Sequence, residues 1–159
     1  MEAERKIRPA LVAGVADLPQ HVGVELGPSR TLIIDQAMID AFGKITGDQH
    51  WIHTDVERAK RELPWGAPIA HGYLMLALIT DLMGDLIRLR FRRALNYGLN
   101  RVRFTNAVPA GSRVCLFAKL QNAEPVDEGG IRLTTACRMI IEGNERPAFV
   151  AEVISIFYP

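Results

Sequence analysis

Two short stretches of this 159-residue chain hold residue types able to do chemistry at neutral pH. The first reads Ile45-Thr-Gly-Asp48-Gln49-His50-Trp51-Ile52-His53. A carboxylate and an imidazole on one connection, pinned by a helix at either end, can converge on a single small molecule. Together they are the minimum set for moving a proton of water at neutral pH. The plainer alternative is that Asp48 caps the structure that follows and His53 is a satisfied buried polar group. His50 is a third candidate, which periodicity does not separate from His53.

The second stretch is Ala67-Pro-Ile-Ala-His71-Gly72, at the start of an apolar run. The first amides of a helix have no partner within it and stand at the positive end of its dipole. Gly72 lacks a Cβ, so a ligand oxygen could approach its amide closely, as in an oxyanion hole. Alternatively, Gly72 only permits a tight turn into the helix. Thr80, two turns further on, could offer a hydroxyl to the same site or simply bond its own helix carbonyl.

Other chemistries lack their residues. No glycine-rich phosphate loop precedes a helix, and no Gly-x-Ser-x-Gly nucleophile turn occurs. The histidines are His21, His50, His53 and His71, and the His-x-x-His spacing at 50 and 53 has no acidic or cysteine partner that would make it a metal motif. No metal is expected.

The elements that must position these residues follow from pattern. Residues 1–28 are interrupted by Pro9, Gly14, Pro19, Gly23 and Pro28, which predicts a short helix and an irregular lead-in. Thr31–Ile34 reads as a strand. Asp35 can cap a helix whose apolar face is Met38, Ala41, Phe42 and Ile45, ending at Gly47. Thr54 and Glu57 have capping-box spacing and predict a second helix ending near Leu63-Pro64. A third helix, from His71-Gly72 to about Asp85, is apolar almost all round and should be buried on nearly all sides.

The rest alternates as strands do. Val102 and Phe104, Val114 to Leu120, Ile131 to Ile141 and Phe149 to Phe157 form successive series, with turns at Pro109-Ala-Gly111 and Glu128-Gly-Gly130. Helices followed by antiparallel strands give an α+β fold, most simply a curved sheet wrapped round the apolar helix. One domain over residues 16–159, after a lead-in at 1–15, accounts for the length.

Composition narrows the function. A formal net charge of +1 lacks the basic excess of a nucleic-acid-binding surface, although Arg88, Arg90, Arg92, Arg93, Arg101 and Arg103 cluster. Cys115 and Cys137 have no metal spacing and read as free, buried thiols of a reducing compartment. The longest apolar run, Tyr73 to Ile79, is too short to span a bilayer, and no signal-type segment follows the charged N-terminus. The expectation is a cytoplasmic protein without membrane or nucleic-acid partners.

Four blocks, in order, resemble the MaoC-like dehydratases, or (R)-specific enoyl-CoA hydratases. They are Thr46-Gly47-Asp48…His53, Ile69-Ala70-His71-Gly72, Asn96-Tyr97-Gly98-Leu99-Asn100 and Val102-Arg103-Phe104. Trp51-Ile52-His53 and the Asn-Tyr-Gly-Leu-Asn block are similar to the nodulation-protein-N-like branch. The resemblance runs from about residue 16 to the C-terminus. One departure is Gln49-His50, where the branch more often has His then Gln.

The resemblance implies a hot-dog fold, a homodimer that joins the sheets of two subunits, and syn hydration of a trans-2-enoyl thioester, or the reverse dehydration of a 3-hydroxyacyl thioester. Asp48 and His53 would be catalytic, the Gly72 amide would be the oxyanion donor, and Gln49, His50, His71 and Thr80 would bind or support. The six arginines could meet the phosphates of CoA or an acidic carrier protein. No cofactor is implied beyond the CoA or carrier-protein thioester. The rivals are an acyl-thioester-binding module without catalysis, and a hot-dog thioesterase. The latter would need carboxylates on the apolar helix, where Asp81 and Asp85 are poorly placed.

Overall fold

Alternation decides which side of each strand is buried. Val114, Leu116, Ala118 and Leu120 are buried, and so are Ile131, Leu133, Thr135, Cys137, Met139 and Ile141. This is the period-two pattern of a sheet with one face on a core. The computed structural model describes residues 9–159. In chain order the first elements are β1 (Leu11–Gly14), a 3₁₀ segment (Val15–His21), β2 (Glu25–Leu26), β3 (Leu32–Ile34), α1 (Gln36–Thr46), α2 (Trp51–Thr54) and α3 (Val56–Glu62). Then come α4 (Gly72–Ala77), α5 (Ile79–Leu86), β4 (Ile87–Arg90), β5 (Arg93–Phe104), β6 (Ser112–Val126), β7 (Gly130–Ile141) and β8 (Pro147–Tyr158).

The main sheet runs β2-β6-β7-β8-β5, with β3 also on β6. Its long neighbours are antiparallel, in registers such as Leu116↔Met139 and Met139↔Phe149. β1 pairs in parallel with β4, Leu11 opposite Ile87. The short helix expected in residues 1–28 is the 3₁₀ segment, it is preceded by a strand paired with β4, and the expected boundary at residue 16 falls within that segment. The partner of β1 lies far along the sequence, so local pattern could not show the strand. The part of the lead-in at residues 1–8 lies outside the described residues.

The apolar helix is two segments, α4 and α5, meeting at Leu78 (φ −68°, ψ −14°). Leu74, Met75, Ile79, Leu82 and Leu86 pack into the core with Phe149, Leu116 and Met139 of the sheet. The expectation of burial on nearly all sides is not met. Tyr73, Ala77, Thr80, Asp81 and Gly84 form an exposed stripe, because the sheet covers one side only and the small and polar residues fall on the other. Asp81 and Asp85 both pair with Arg30.

Capping fixes the helices next to the site. Asp35 accepts the Met38 amide at 2.8 Å and starts α1. Gly47 ends it in the left-handed region (φ 80°), which only glycine adopts freely. The predicted capping box at Thr54 is displaced by one residue. Asp55 caps α3 by accepting the Arg58 amide at 2.9 Å, while the Thr54 hydroxyl donates to the Gln49 carbonyl at 3.2 Å. An aspartate available one step later is the stronger acceptor, and the residues before it close into the single turn of α2.

Cys115 and Cys137 are both free. Burial pushes the Cys137 thiol up to about 12, so it serves as a small apolar residue. Among the described residues β5 pairs on one side only, with β8, and leaves Leu95, Tyr97, Leu99 and Phe104 exposed.

Candidate active site

Two segments far apart in sequence are joined here by their main chains. The Ile69 amide donates to the Ile52 carbonyl at 2.9 Å and the Ala70 amide to Val108 at 2.8 Å. This brings α2 against the start of α4. His53, on α2, is 8% exposed. Its Nδ1 lies 2.6 Å from the Ile69 carbonyl oxygen. A carbonyl only accepts, so Nδ1 carries the proton and Nε2 is left with its lone pair. Burial lowers the His53 pKa below the ordinary histidine value; the Ile69 hydrogen bond opposes this, and His71 adds to it. His53 is thereby a neutral base near pH 7.

Asp48 is exposed and follows directly on the Gly47 cap. One side-chain oxygen of Asp48, one ring nitrogen of His53 and one of His71 lie within 4.8 Å of one another. Such a set could attract a metal ion, but the His53 and His71 rings are stacked, 3.8 Å apart and 27° from parallel. Stacked imidazoles aim their lone pairs side by side and not at one point, which disfavours joint coordination.

Gly72 opens α4 and borders a cavity of about 290 Å³ together with His53, Met75, Phe104, Asn106 and Val108. The first paired amide after it is Met75, which donates to the His71 carbonyl at 3.2 Å. The Gly72 amide thus stands among the unpartnered first amides of the helix. A Cβ at position 72 would lie 3.0 Å from three atoms of the Phe104 ring. Close packing by Phe104, whose ring would have to give by a few tenths of an ångström, and not a left-handed turn, is what favours glycine here.

The remaining expected residues separate. His50 is exposed and caps α2, its Nδ1 3.5 Å from the Ile52 amide. That distinguishes it from His53, which sequence spacing could not do. Gln49 is exposed beside it. His71 is 3% exposed and belongs to the site. Thr80 does not, since it lies on the exposed stripe of the helix. The arginines are dispersed and none borders the cavity. Arg93 pairs with Glu128 and lies 4.0 Å over the Tyr158 ring. Arg103 donates to the Val102 carbonyl at 2.7 Å. Arg101 borders a different groove, of about 390 Å³, with Lys119 and Arg138.

Three participants escaped the sequence reading. Phe104 walls the cavity. Asn106 ties the cavity rim to the start of β8, donating to the Arg146 carbonyl at 3.0 Å. Gly43, inside α1, lets the Asp48 carbonyl come close. Only Gly43 left a signal, as a glycine in a helix interior, where it costs stability without a reason of this kind.

The MaoC like domain model matches residues 17–137. The chain is 40% identical over 141 residues to "3-hydroxyacyl-thioester dehydratase Z" of Mycobacterium tuberculosis, covering 88% of this chain and 93% of that one. It is 39% identical over 146 residues to "Nodulation protein N" of Rhizobium leguminosarum bv. viciae, covering 89% of each. Its backbone is similar to the solved "(R)-hydratase from A. caviae involved in PHA biosynthesis", with a TM-score of 0.66 at 22% identity, over 87% of this chain and 96% of that one. At that identity the likeness is one of fold, and the fold is the hot-dog α+β arrangement.

Proposed function

We propose, from the premise that this chain belongs to the MaoC-like domain family, that it is a hydro-lyase. It adds water to trans-2-enoyl thioesters to give (R)-3-hydroxyacyl thioesters, and runs the reverse dehydration. The single observation that carries this reading is the 2.6 Å contact between His53 Nδ1 and the Ile69 carbonyl oxygen. With Nδ1–H held by the Ile69 carbonyl, the ring lining the cavity has a free lone pair at Nε2, next to a carboxylate and a helix-start amide.

The thioester carbonyl accepts a hydrogen bond from the Gly72 amide, which stabilises the enolate charge that builds as water attacks Cβ. One such donor is typically worth about 100- to 1,000-fold in rate. His53 takes the water proton through Nε2, hydroxide adds to Cβ, and the Asp48–His53 pair returns a proton to Cα on the same face. Water is consumed whole, and no redox partner is needed.

Coenzyme A or a carrier protein presents the acyl group, and the enzyme uses no further cofactor. Arg88, Arg90, Arg92, Arg101 and Arg103 are available to the phosphates or acidic surface of that carrier; Arg93 is taken by Glu128 and Tyr158. The open edge of β5 supports a homodimer that joins two sheets. No helix among the described residues is long and apolar enough to cross a membrane, and we place the enzyme in the cytoplasm. The thioesterase reading loses its carboxylates, because Asp81 and Asp85 are held by Arg30 at the far end of the helix.

The test is to follow loss of the conjugated enoyl thioester absorbance with crotonyl-, octenoyl- and longer enoyl-CoA, and to determine the hand of the product. Saturable hydration to the (R) product is expected. Tight binding without turnover would leave only a binding module, and release of free thiol would make it a thioesterase.

A further inference from the structure

His71 has a place in the site that the reaction scheme leaves unused. Its Nε2 lies 2.8 Å from the main-chain carbonyl oxygen of Asp48. In a neutral imidazole the single N–H must then be at Nε2, because the carbonyl can only accept. Its ring stacks on His53 at 3.8 Å and meets Phe42 of α1 at 5.1 Å. Among the described residues its buried Nδ1 has no hydrogen-bond partner, and as the residue before α4 it makes no side-chain cap. A buried polar atom left unpaired is uncommon and calls for a reason. Little else holds Asp48: its amide lies 3.4 Å from the Thr46 hydroxyl, and no hydrogen bond to its carboxylate is formed among the described residues.

We propose that His71 is a positioning residue: its Nε2–H fixes the main chain of Asp48 while its ring face fixes the plane of His53, so that one side chain holds both members of the catalytic pair in register. The orphaned Nδ1 is the consequence. The ring cannot turn over to satisfy Nδ1 without releasing the Asp48 carbonyl. Two histidines thus stack with opposite tautomers, Nδ1–H in His53 and Nε2–H in His71, each held by a peptide carbonyl. The titratable groups acting on His53 are Asp48, His50 and His71, and of these His71 depresses its basicity more than His50 does.

The role rests on the hydratase reading for its kinetic arm and on nitrogen shifts for its structural arm. His71→Phe keeps a ring to stack and loses the N–H; His71→Gln keeps a donor near the Nε2 position and loses the stack. Misplacing a reacting group by about an ångström costs on the order of 100-fold, and a loss of that size in kcat is expected for His71→Phe, with KM little changed. Burial, the main cause of the lowered His53 pKa, stays in place, so the acid limb of the variant's pH profile should rise only slightly as the smaller His71 contribution is lost. His71→Gln, with the donor kept and the stack lost, should recover only part of kcat. Unchanged kcat in folded His71→Phe, or a raised KM with kcat kept, would overturn the proposal.

Should neither variant fold, ¹⁵N shifts of the wild-type histidines at mildly alkaline pH still decide. An Nε2–H tautomer at His71 beside Nδ1–H at His53 is expected, and Nδ1–H at His71 overturns the proposal. A wild type inert towards every enoyl thioester but showing these tautomers would remove the proposed reaction and not the geometry.

Discussion

The carbonyl oxygen of Asp48 occupies space that any side chain on Gly43 would need: a Cβ there would come within 2.9 Å of it and 3.4 Å of Cε1 of His71. The obstacle is main chain, not the tip of a flexible side chain, so it cannot simply swing away. Replacing glycine by alanine inside a helix ordinarily adds up to about 1 kcal/mol of stability. Here the sign should reverse. Gly43→Ala is expected to lower the melting temperature and reduce kcat together, measured by thermal melts and enoyl-CoA hydration. A variant both more stable and fully active would show that Asp48 is not held where it stands.

Asp48→Asn and His53→Gln keep size and polarity but remove proton transfer. Each should lower turnover by about 100- to 10,000-fold, the usual range for losing general acid–base catalysis. His50→Gln should be mild, because His50 is exposed and only caps α2. Circular dichroism establishes folding first, and hydration near the wild-type rate by either folded catalytic variant would sink the mechanism.

Burial lowers the His53 pKa below its ordinary value of 6.5. Catalysis needs the neutral ring, so the acid limb of kcat/KM should fall below that pH. Stability follows the same direction. Between the folded and unfolded pKa values the unfolded chain binds more protons, so the His53 contribution is complete above the unfolded value and is lost as pH falls through the folded one. His53→Gln should therefore unfold with a shallower pH dependence below 6.5 than the wild type. An acid limb above that pH would argue against a buried base.

Leu95 and Leu99 on the open edge of β5 are both about half exposed. Introducing charge there, as Leu95→Lys with Leu99→Lys, should shift the mass in light scattering from two chains to one. A wild type that scatters as one chain at micromolar concentration would rule out joined sheets.

For the carrier, Arg103→Ala should raise KM for crotonyl-CoA with kcat unchanged, most strongly at low salt, since exposed phosphate contacts are screened over about 8 Å at physiological ionic strength. Arg93→Ala should leave KM and its salt dependence alone. Equal salt curves for both variants and the wild type would reduce the arginines to a solvated face.

Much of this was legible in the chain. Alternation from Val114 to Phe157 yielded the long strands, and Asp35 and Gly47 marked both ends of α1, because caps and pleats are decided by neighbours. What stayed hidden depended on distant partners. The pairing of Leu11 with Ile87 has no local trace. The cavity needs Phe104 and Asn106 to be carried beside Gly72. His50 and His53 look alike as letters, and only the geometry of α2 turns one out to solvent and the other in. The apolar helix looked fully enclosed because Ala77, Thr80 and Gly84 are small enough to pass as interior residues.

Both ring N–H groups at the site end on peptide carbonyls, those of Ile69 and Asp48. A peptide carbonyl exists whatever amino acid occupies the position. Exchanging Ile69 for another residue can shift the acceptor slightly but cannot delete it. Loop length is another matter: adding or removing one residue within 49–52 or 67–70 would move the acceptor out of reach while leaving every functional side chain in the gene. Activity in this chain should thus survive many replacements in those two segments and almost no insertions. An engineer wishing to retune the pocket can vary the exposed letters there, so long as the count is kept and the buried Pro68 and Ala70 are left alone.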